Sequence, residues 1–371
     1  MKPRRLITAI VSAASVALGT VALSSPAGAA DAGSVLRLSG WNAVATSAAV
    51  SQATYDDGEA EAVVLTRVDH FGDGLVAAPL AVAKKAPLLL TETRSLSPEA
   101  EEELKRVLPQ GKSVYILGGE LALSRNVENR VEALGYNVVR IGGASQYETA
   151  INIANAANTS PKYIFLATGR EYYDALAAGA SASLDGSVVV LTDGSNLPDS
   201  VRDYLDQHPG SELVTVGTPA EDALAYHYNR DFYTFAGDDA IDTSLAVASW
   251  LETPGNASIA TMNTYHDAMA GSALSGLIGA PVLLSNGDEL DSRVAAWIAT
   301  NRSTLNNALL YGGTMALSDR VFTDTESALG VGGDAKSQRT APQAPSLTAP
   351  KDKGDRLSKF PKRAPATAVT R

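Results

Sequence analysis

The chain has 371 residues, 45% of them hydrophobic and 6% aromatic, with no cysteine and a formal net charge of −11. The length allows two or three domains, and the lack of cysteine excludes disulfides, thiol nucleophiles and Cys-ligated metal sites. Setting aside the +3 of residues 1–30 and the +6 of residues 331–371 leaves −20 on residues 31–330, a balance that argues against non-specific nucleic-acid binding.

In chain order, the first signal is an address. Lys2, Arg4 and Arg5 precede an apolar stretch from Leu6 to Leu23, and Ala27, Gly28, Ala29 and Ala30 offer a small-residue cleavage site. The pattern predicts a secretory signal peptide over 1–30, with an uncleaved membrane anchor as the alternative. No later segment is long and apolar enough to span a bilayer.

Next comes a set of landmarks that recurs. Arg37 stands three residues before Gly40, and Thr46 follows that glycine by six. An apolar run over 62–66 predicts a strand, and Phe71 stands two residues before Asp73. A second apolar run ends at Thr91. Residues 97–108 read as a helix, with Ser97 as N-cap, Pro98 at the first helical position and acids in the first turn. Val114 to Leu117 is again strand-like and leads into Gly118 and Gly119.

The order then repeats twice. The second copy has Arg140, Gly143 and Thr149, a strand over 163–167, Tyr172 and Asp174, an apolar run to Thr192, a helix over 197–205, and Gly217. The third has Thr234, Gly237 and Thr243, a strand over 259–261, Tyr265 and Asp267, an apolar run to Ser285, a helix over 290–298, and Gly312 with Gly313. The repeats fall at 31–136, 137–231 and 232–330, each long enough to be a small domain with its own core. Their strands are apolar throughout, which fits a parallel sheet covered on both faces, and they alternate with helices, which fits the α/β class. From 331 to 371 the chain is basic and rich in Pro and Ala, and is expected to be a disordered tail.

The repeated residues carry the candidate chemistry. Asp73, Asp174 and Asp267 fall near the C-terminal edge of a parallel sheet, where open α/β folds bind ligands. Each is either a helix N-cap or a carboxylate accepting hydroxyls from a sugar, with Phe71, Tyr172 or Tyr265 offering an apolar face beside it. Arg37 and Arg140 are candidates for an anion, or for ion pairs inside the protein. Thr46, Thr149 and Thr243 read as packing or capping groups. Gly118, Gly119, Gly217, Gly312 and Gly313 read as strand-to-helix turns, with a phosphate cradle as the lesser alternative. No catalytic motif, metal-ligand spacing or cofactor fingerprint is present, so a non-catalytic protein without cofactor or metal is expected.

The threefold pattern resembles the bacterial cell wall binding repeat type 2, found as three tandem units on Gram-positive surface and S-layer proteins. The resemblance covers about residues 35–330. It implies three Rossmann-like units around a pseudo-threefold axis in a single chain, expected to be a monomer, and non-covalent attachment to an anionic secondary cell-wall polymer. The alternative is an extracellular solute-binding or scaffold protein that uses the crevices between units for a small sugar-like ligand. Three departures make the repeats unequal: Thr234 replaces the arginine, Thr168-Gly169 becomes Arg67-Val68 and Met262-Asn263, and Gly217 is followed by Thr218.

Overall fold

The computed structural model describes residues 33–331 and 356–366, so the expected signal peptide lies outside the described residues. The first repeat alternates β1 (Ser34–Leu38), α1 (Ala43–Thr54), β2 (Ala62–Arg67), α2 (Ala77–Ala83), β3 (Leu88–Thr91), α3 (Pro98–Val107), β4 (Ser113–Leu117) and α4 (Arg125–Ala133). The second runs β5 (Asn137–Ile141), α5 (Gln146–Ala157), β6 (Tyr163–Thr168), α6 (Tyr173–Ser183), β7 (Val188–Thr192), α7 (Asp199–Gln207), β8 (Glu212–Val216) and α8 (Thr218–His227). The third runs β9 (Phe232–Phe235), α9 (Ala240–Ala248), β10 (Asn256–Thr261), α10 (His266–Ile278), β11 (Val282–Ser285), α11 (Ser292–Asn301), β12 (Asn307–Tyr311) and α12 (Asp319–Leu329). The α/β class and the parallel sheets match the expectation from the apolar runs.

Local chemistry accounts for the helix starts. Asn42, Ser145 and Asp239 precede α1, α5 and α9, and their side chains accept from the amides of Ala45, Glu148 and Asp242. These caps satisfy amides that have no partner inside the helix. Helix α3 has Pro98 in its first turn with Glu99 and Glu101, and Lys105 and Arg106 in its last, which suits the helix dipole. Ser97 precedes it without capping it. Its hydroxyl instead accepts from the Glu92 amide at 3.1 Å and so fastens the loop after β3.

The repeats do not fold as separate domains. The three sheets run β3-β2-β4-β5, β7-β6-β8-β9 and β1-β12-β10-β11, so each takes an edge strand from a neighbouring repeat. Val114 pairs with Val138, Leu213 with Phe232, and Leu36 with Leu309, all in parallel register. The boundaries at 136/137 and 231/232 therefore mark the sequence repeat; two sheets straddle them, and the third joins the first repeat to the last. Pairing of β1 with β12 closes the array into a ring. Val35, Leu36 and Leu38 of β1 are buried, with α1 and α12 packed against the strand.

At the centre, α2, α6 and α10 pack on one another. Their Ala-rich sequences bring the backbones close: a Cβ on Gly276 would lie 2.6 Å from the Cβ of Ser183. One buried apolar cluster draws residues from all three repeats. Among the described residues, no helix is long and apolar enough to cross a membrane.

Residues 356–366 do not behave as the expected solvated tail, because they pack on the body. Arg356 is buried and its Nε bonds the Asp185 carboxylate at 2.8 Å, Leu357 is buried, and Phe360 meets Phe235 edge-on at 4.8 Å. Arg363 exchanges backbone hydrogen bonds with Phe232, adding an antiparallel bridge to the edge strand β9. Two apolar side chains and an ion pair offset the ordering entropy that composition alone suggested was too large.

Candidate functional site

The six-residue step from glycine to threonine has a direct cause. The Gly40, Gly143 and Gly237 amides donate to the hydroxyls of Thr46, Thr149 and Thr243 at 3.1, 3.0 and 3.1 Å, fixing the turn into the next helix. The Thr149 hydroxyl also bonds the Asp73 carboxylate, and that of Thr46 bonds Asp267. Each of these pairs joins one repeat to the next.

The aspartates are not helix caps. Tyr172 and Tyr265 occupy the N-cap positions of α6 and α10 without a side-chain cap bond, and Asp174 and Asp267 sit in the first turns. Asp73 lies four residues ahead of α2. Burial pushes all three carboxyls above the usual range, Asp174 to about 6, while the threonine bonds to Asp73 and Asp267 pull the other way.

Opposite each carboxylate stands a glycine. Gly118, Gly217 and Gly312 adopt φ of +88°, +81° and +102°, and a Cβ on any of them would run into Asp73, Asp174 or Asp267. The positive φ is one reason for glycine at these positions, and the carboxylate's need for space is a second. Gly119 and Gly313 face open space or nearly so.

Two clefts open over these constellations. One, of about 680 Å³ counted out to solvent, joins repeats three and one and is lined by Trp41, Thr46, His266, Asp267, Gly313 and Met315. The other, of about 880 Å³ counted the same way, joins repeats one and two and is lined by Arg67, His70, Asp73, Leu121, Gln146 and Thr149. Their rims expose large apolar groups: Trp41 is 80% exposed, Met315 99% and Leu121 92%. In the second repeat, α8 starts directly after Gly217, so the turn that carries Leu121 and Met315 elsewhere is missing.

Arg37 and Arg140 are not free for an anion. Arg37 is buried, its guanidinium donating to the carbonyls of Gly312 at 3.0 Å, Leu317 at 2.7 Å and Ser318 at 3.2 Å. Arg140 donates to the Gly118 carbonyl at 3.0 Å and pairs with Glu128 at 2.7 Å. Both hold the turn of the neighbouring repeat. Where the third repeat has Thr234 instead, its hydroxyl meets that of Thr215 at 2.6 Å.

The aromatic candidates also turn inward. Phe71, Tyr172 and Tyr265 meet in a triangle, with ring centroids 5.5 to 5.7 Å apart. The Tyr172 hydroxyl donates to the Met262 carbonyl and that of Tyr265 to Val68, both at 3.0 Å. They join the repeats about the central axis, and their faces are spent on one another rather than offered to a sugar.

Arg67, Trp41, Leu121 and Met315 line the clefts without having been singled out as candidates. Arg67 was visible only as a departure from Thr168-Gly169. It lines the cleft of repeats one and two with its Nε 2.6 Å from Asp69. Trp41 follows a repeated glycine but is not itself repeated, whereas Leu121 and Met315 take the same place after the paired glycines of repeats one and three.

Comparison with known proteins supplies the context. The model of the family described as cell wall binding domain 2 matches residues 37–128, 140–221 and 234–322. The chain is 28% identical over 290 residues to the N-acetylmuramoyl-L-alanine amidase LytC of Bacillus subtilis, covering 78% of this chain and 57% of the relative. It is 35% identical over 137 residues to the amidase enhancer of the same organism, covering 37% of this chain and 19% of the relative. Among solved structures, Cwp8 from Clostridium difficile superposes with a TM-score of 0.72 at 28% identity, covering 81% of this chain and 52% of that one. Cwp6 from the same organism gives 0.69 at 22%, covering 84% and 49%, and supports the fold alone. The chain thus spans about half the length of these structural relatives.

Proposed function

The chain belongs to the cell wall binding domain 2 family, and on that premise we propose that it is a secreted, non-catalytic adhesin. It holds non-covalently to an anionic secondary wall glycopolymer through the clefts between repeats. The observation that carries this is a pair of clefts at repeat junctions that share a buried aspartate bonded to threonine and an exposed apolar rim, though the rest of their lining differs. Carboxylates and hydroxyls at the base suit sugar hydroxyls, and apolar rim groups suit the C–H faces of sugar rings.

The acidic body makes the adhesion local. Against −20 on residues 31–330, anionic groups are attracted at Arg67 in the cleft of repeats one and two, or along the basic residues of 331–371. Neither aspartate-threonine constellation has a reason to be catalytic, since its carboxylate is bonded to a threonine that fixes a helix start and packs against a left-handed glycine turn.

The test is sedimentation of residues 31–371 with purified Gram-positive walls before and after hydrofluoric acid removes the secondary polymer. Pelleting with intact walls and its loss on stripped walls is the expected result. Equal pelleting with both, or saturable binding of a free sugar phosphate without wall affinity, favours the soluble sugar-binding alternative.

A further inference from the structure

The threefold repeat provides an internal control on which side chains the fold requires. At the start of α1, α5 and α9 every repeat keeps the glycine, the capping residue and the threonine that accepts from the glycine amide. Between glycine and cap, however, the three repeats carry Trp41, Ala144 and Asp238. The fold is indifferent to this position, yet the first repeat places an indole there at 80% exposure.

The indole stands on the cleft of repeats three and one, together with Met315 at 99% exposure. At the base is Asp267, 9% exposed, its carboxylate bonded to Thr46. No lysine or arginine is found among the described residues that line this cleft. Arg37, at the same junction, is buried with its guanidinium on the Gly312, Leu317 and Ser318 carbonyls. Burial holds the His266 imidazole below its usual range, toward the neutral form. An anionic group entering here meets a carboxylate and no cation. A sugar ring without charge meets an aromatic face for its axial C–H groups and a carboxylate for its hydroxyls. The cleft of repeats one and two is built differently: Arg67, its Nε on Asp69, and His70 stand beside Asp73 and Glu120.

We infer that the cleft of repeats three and one is a subsite for an uncharged pyranose, a hexose or N-acetylhexosamine, stacked on Trp41 with its hydroxyls directed to Asp267. The charged groups of the same polymer are left to the Arg67 cleft. This rests on the wall-binding reading and adds the division of the ligand between two unlike clefts.

Tryptophan fluorescence of residues 31–371 tests it, because Trp250 is fully buried and Trp297 packs against the core, leaving Trp41 as the solvent-facing reporter. The probes are neutral hexose and N-acetylhexosamine oligosaccharides, with polyglycerol phosphate as the charged comparison. At least one neutral probe shifts the Trp41 emission and shields it from acrylamide, and polyglycerol phosphate does not compete. Trp41→Ala weakens that binding about tenfold, roughly 1.4 kcal/mol, while Trp41→Phe stays within about threefold. The inference is overturned if no neutral probe perturbs Trp41, if polyglycerol phosphate does so instead, or if Trp41→Ala binds as the parent does. Wall sedimentation of the parent protein, run alongside, separates the two claims. Pelleting without a neutral-sugar response at Trp41 sinks this inference alone, and failure to pellet sinks the wall-binding reading.

Discussion

The hydroxyl of Tyr265 donates to the carbonyl of Val68 at 3.0 Å, joining residues 197 positions apart in the chain. Tyr172 makes the matching bond to Met262, and the two tyrosines meet Phe71 at the axis. Closure of the ring is therefore held by side chains as well as by the β1–β12 pairing. Tyr265→Phe and Tyr172→Phe should each cost about 1 kcal/mol in urea unfolding, the usual net worth of one such bond. Both unfolding curves should remain single transitions, because the buried core is shared by all three repeats.

Gly118 and Gly312 combine a left-handed backbone with a carboxylate where a Cβ would go. Alanine at either should cost about 2–4 kcal/mol, from backbone strain and from collision with Asp73 or Asp267. Adding Asp73→Ala to Gly118→Ala should recover only part of that cost, because the added methyl would still lie 2.5 Å from the Ala122 Cβ in a left-handed backbone. Denaturation of the single and double variants measures the coupling.

Asp174 should make stability depend on pH. Burial, reinforced by the charge of Glu171, raises its folded value to about 6, above the value in the unfolded chain. The native state then binds the proton more tightly. The stabilising contribution is complete below the unfolded value and is lost as pH rises through about 6. Asp174→Asn should therefore match the parent near pH ~4 and exceed it at pH ~8 by up to about 3 kcal/mol. Thermal melts across that range check the slope.

The docked segment near the C-terminus separates buried from exposed charge. Arg356 is buried against Asp185, whereas Lys362 reaches Glu212 with both side chains about two-fifths exposed. Arg356→Met should cost about 2–4 kcal/mol because it strands a carboxylate that is itself mostly covered. Lys362→Met should change stability by less than about 1 kcal/mol, and that small effect should fade with added salt. Deleting residues 332–371 to test tail-driven adhesion would also remove this packing, so neutralising the tail's basic residues is the cleaner experiment.

Much of the fold was legible because the information is local. The apolar runs over 62–66 and 163–167 are strands, and the helix read over 97–108 runs from Pro98 to Val107. Which sheet β1, β5 or β9 joins was not legible, since an apolar strand does not encode its partner and the sequence repeat has no preferred phase. Asp73 and Asp267 meet threonines of the adjoining repeat, and Arg37 and Arg140 hold carbonyls of the neighbouring repeat, pairings that depend on the strand exchange. Trp41 was missed for the opposite reason: a comparison keyed on repeated residues passes over the one that differs.

The central claim is that adhesion resides in the two clefts. The direct measurement is the affinity of residues 31–371 for intact purified Gram-positive walls, compared with the Trp41→Ala/Arg67→Ala double variant by sedimentation. The variant should keep the parent's urea midpoint and bind at least about tenfold more weakly. Wall affinity equal to the parent's in a folded double variant would contradict the claim and move adhesion elsewhere on the molecule.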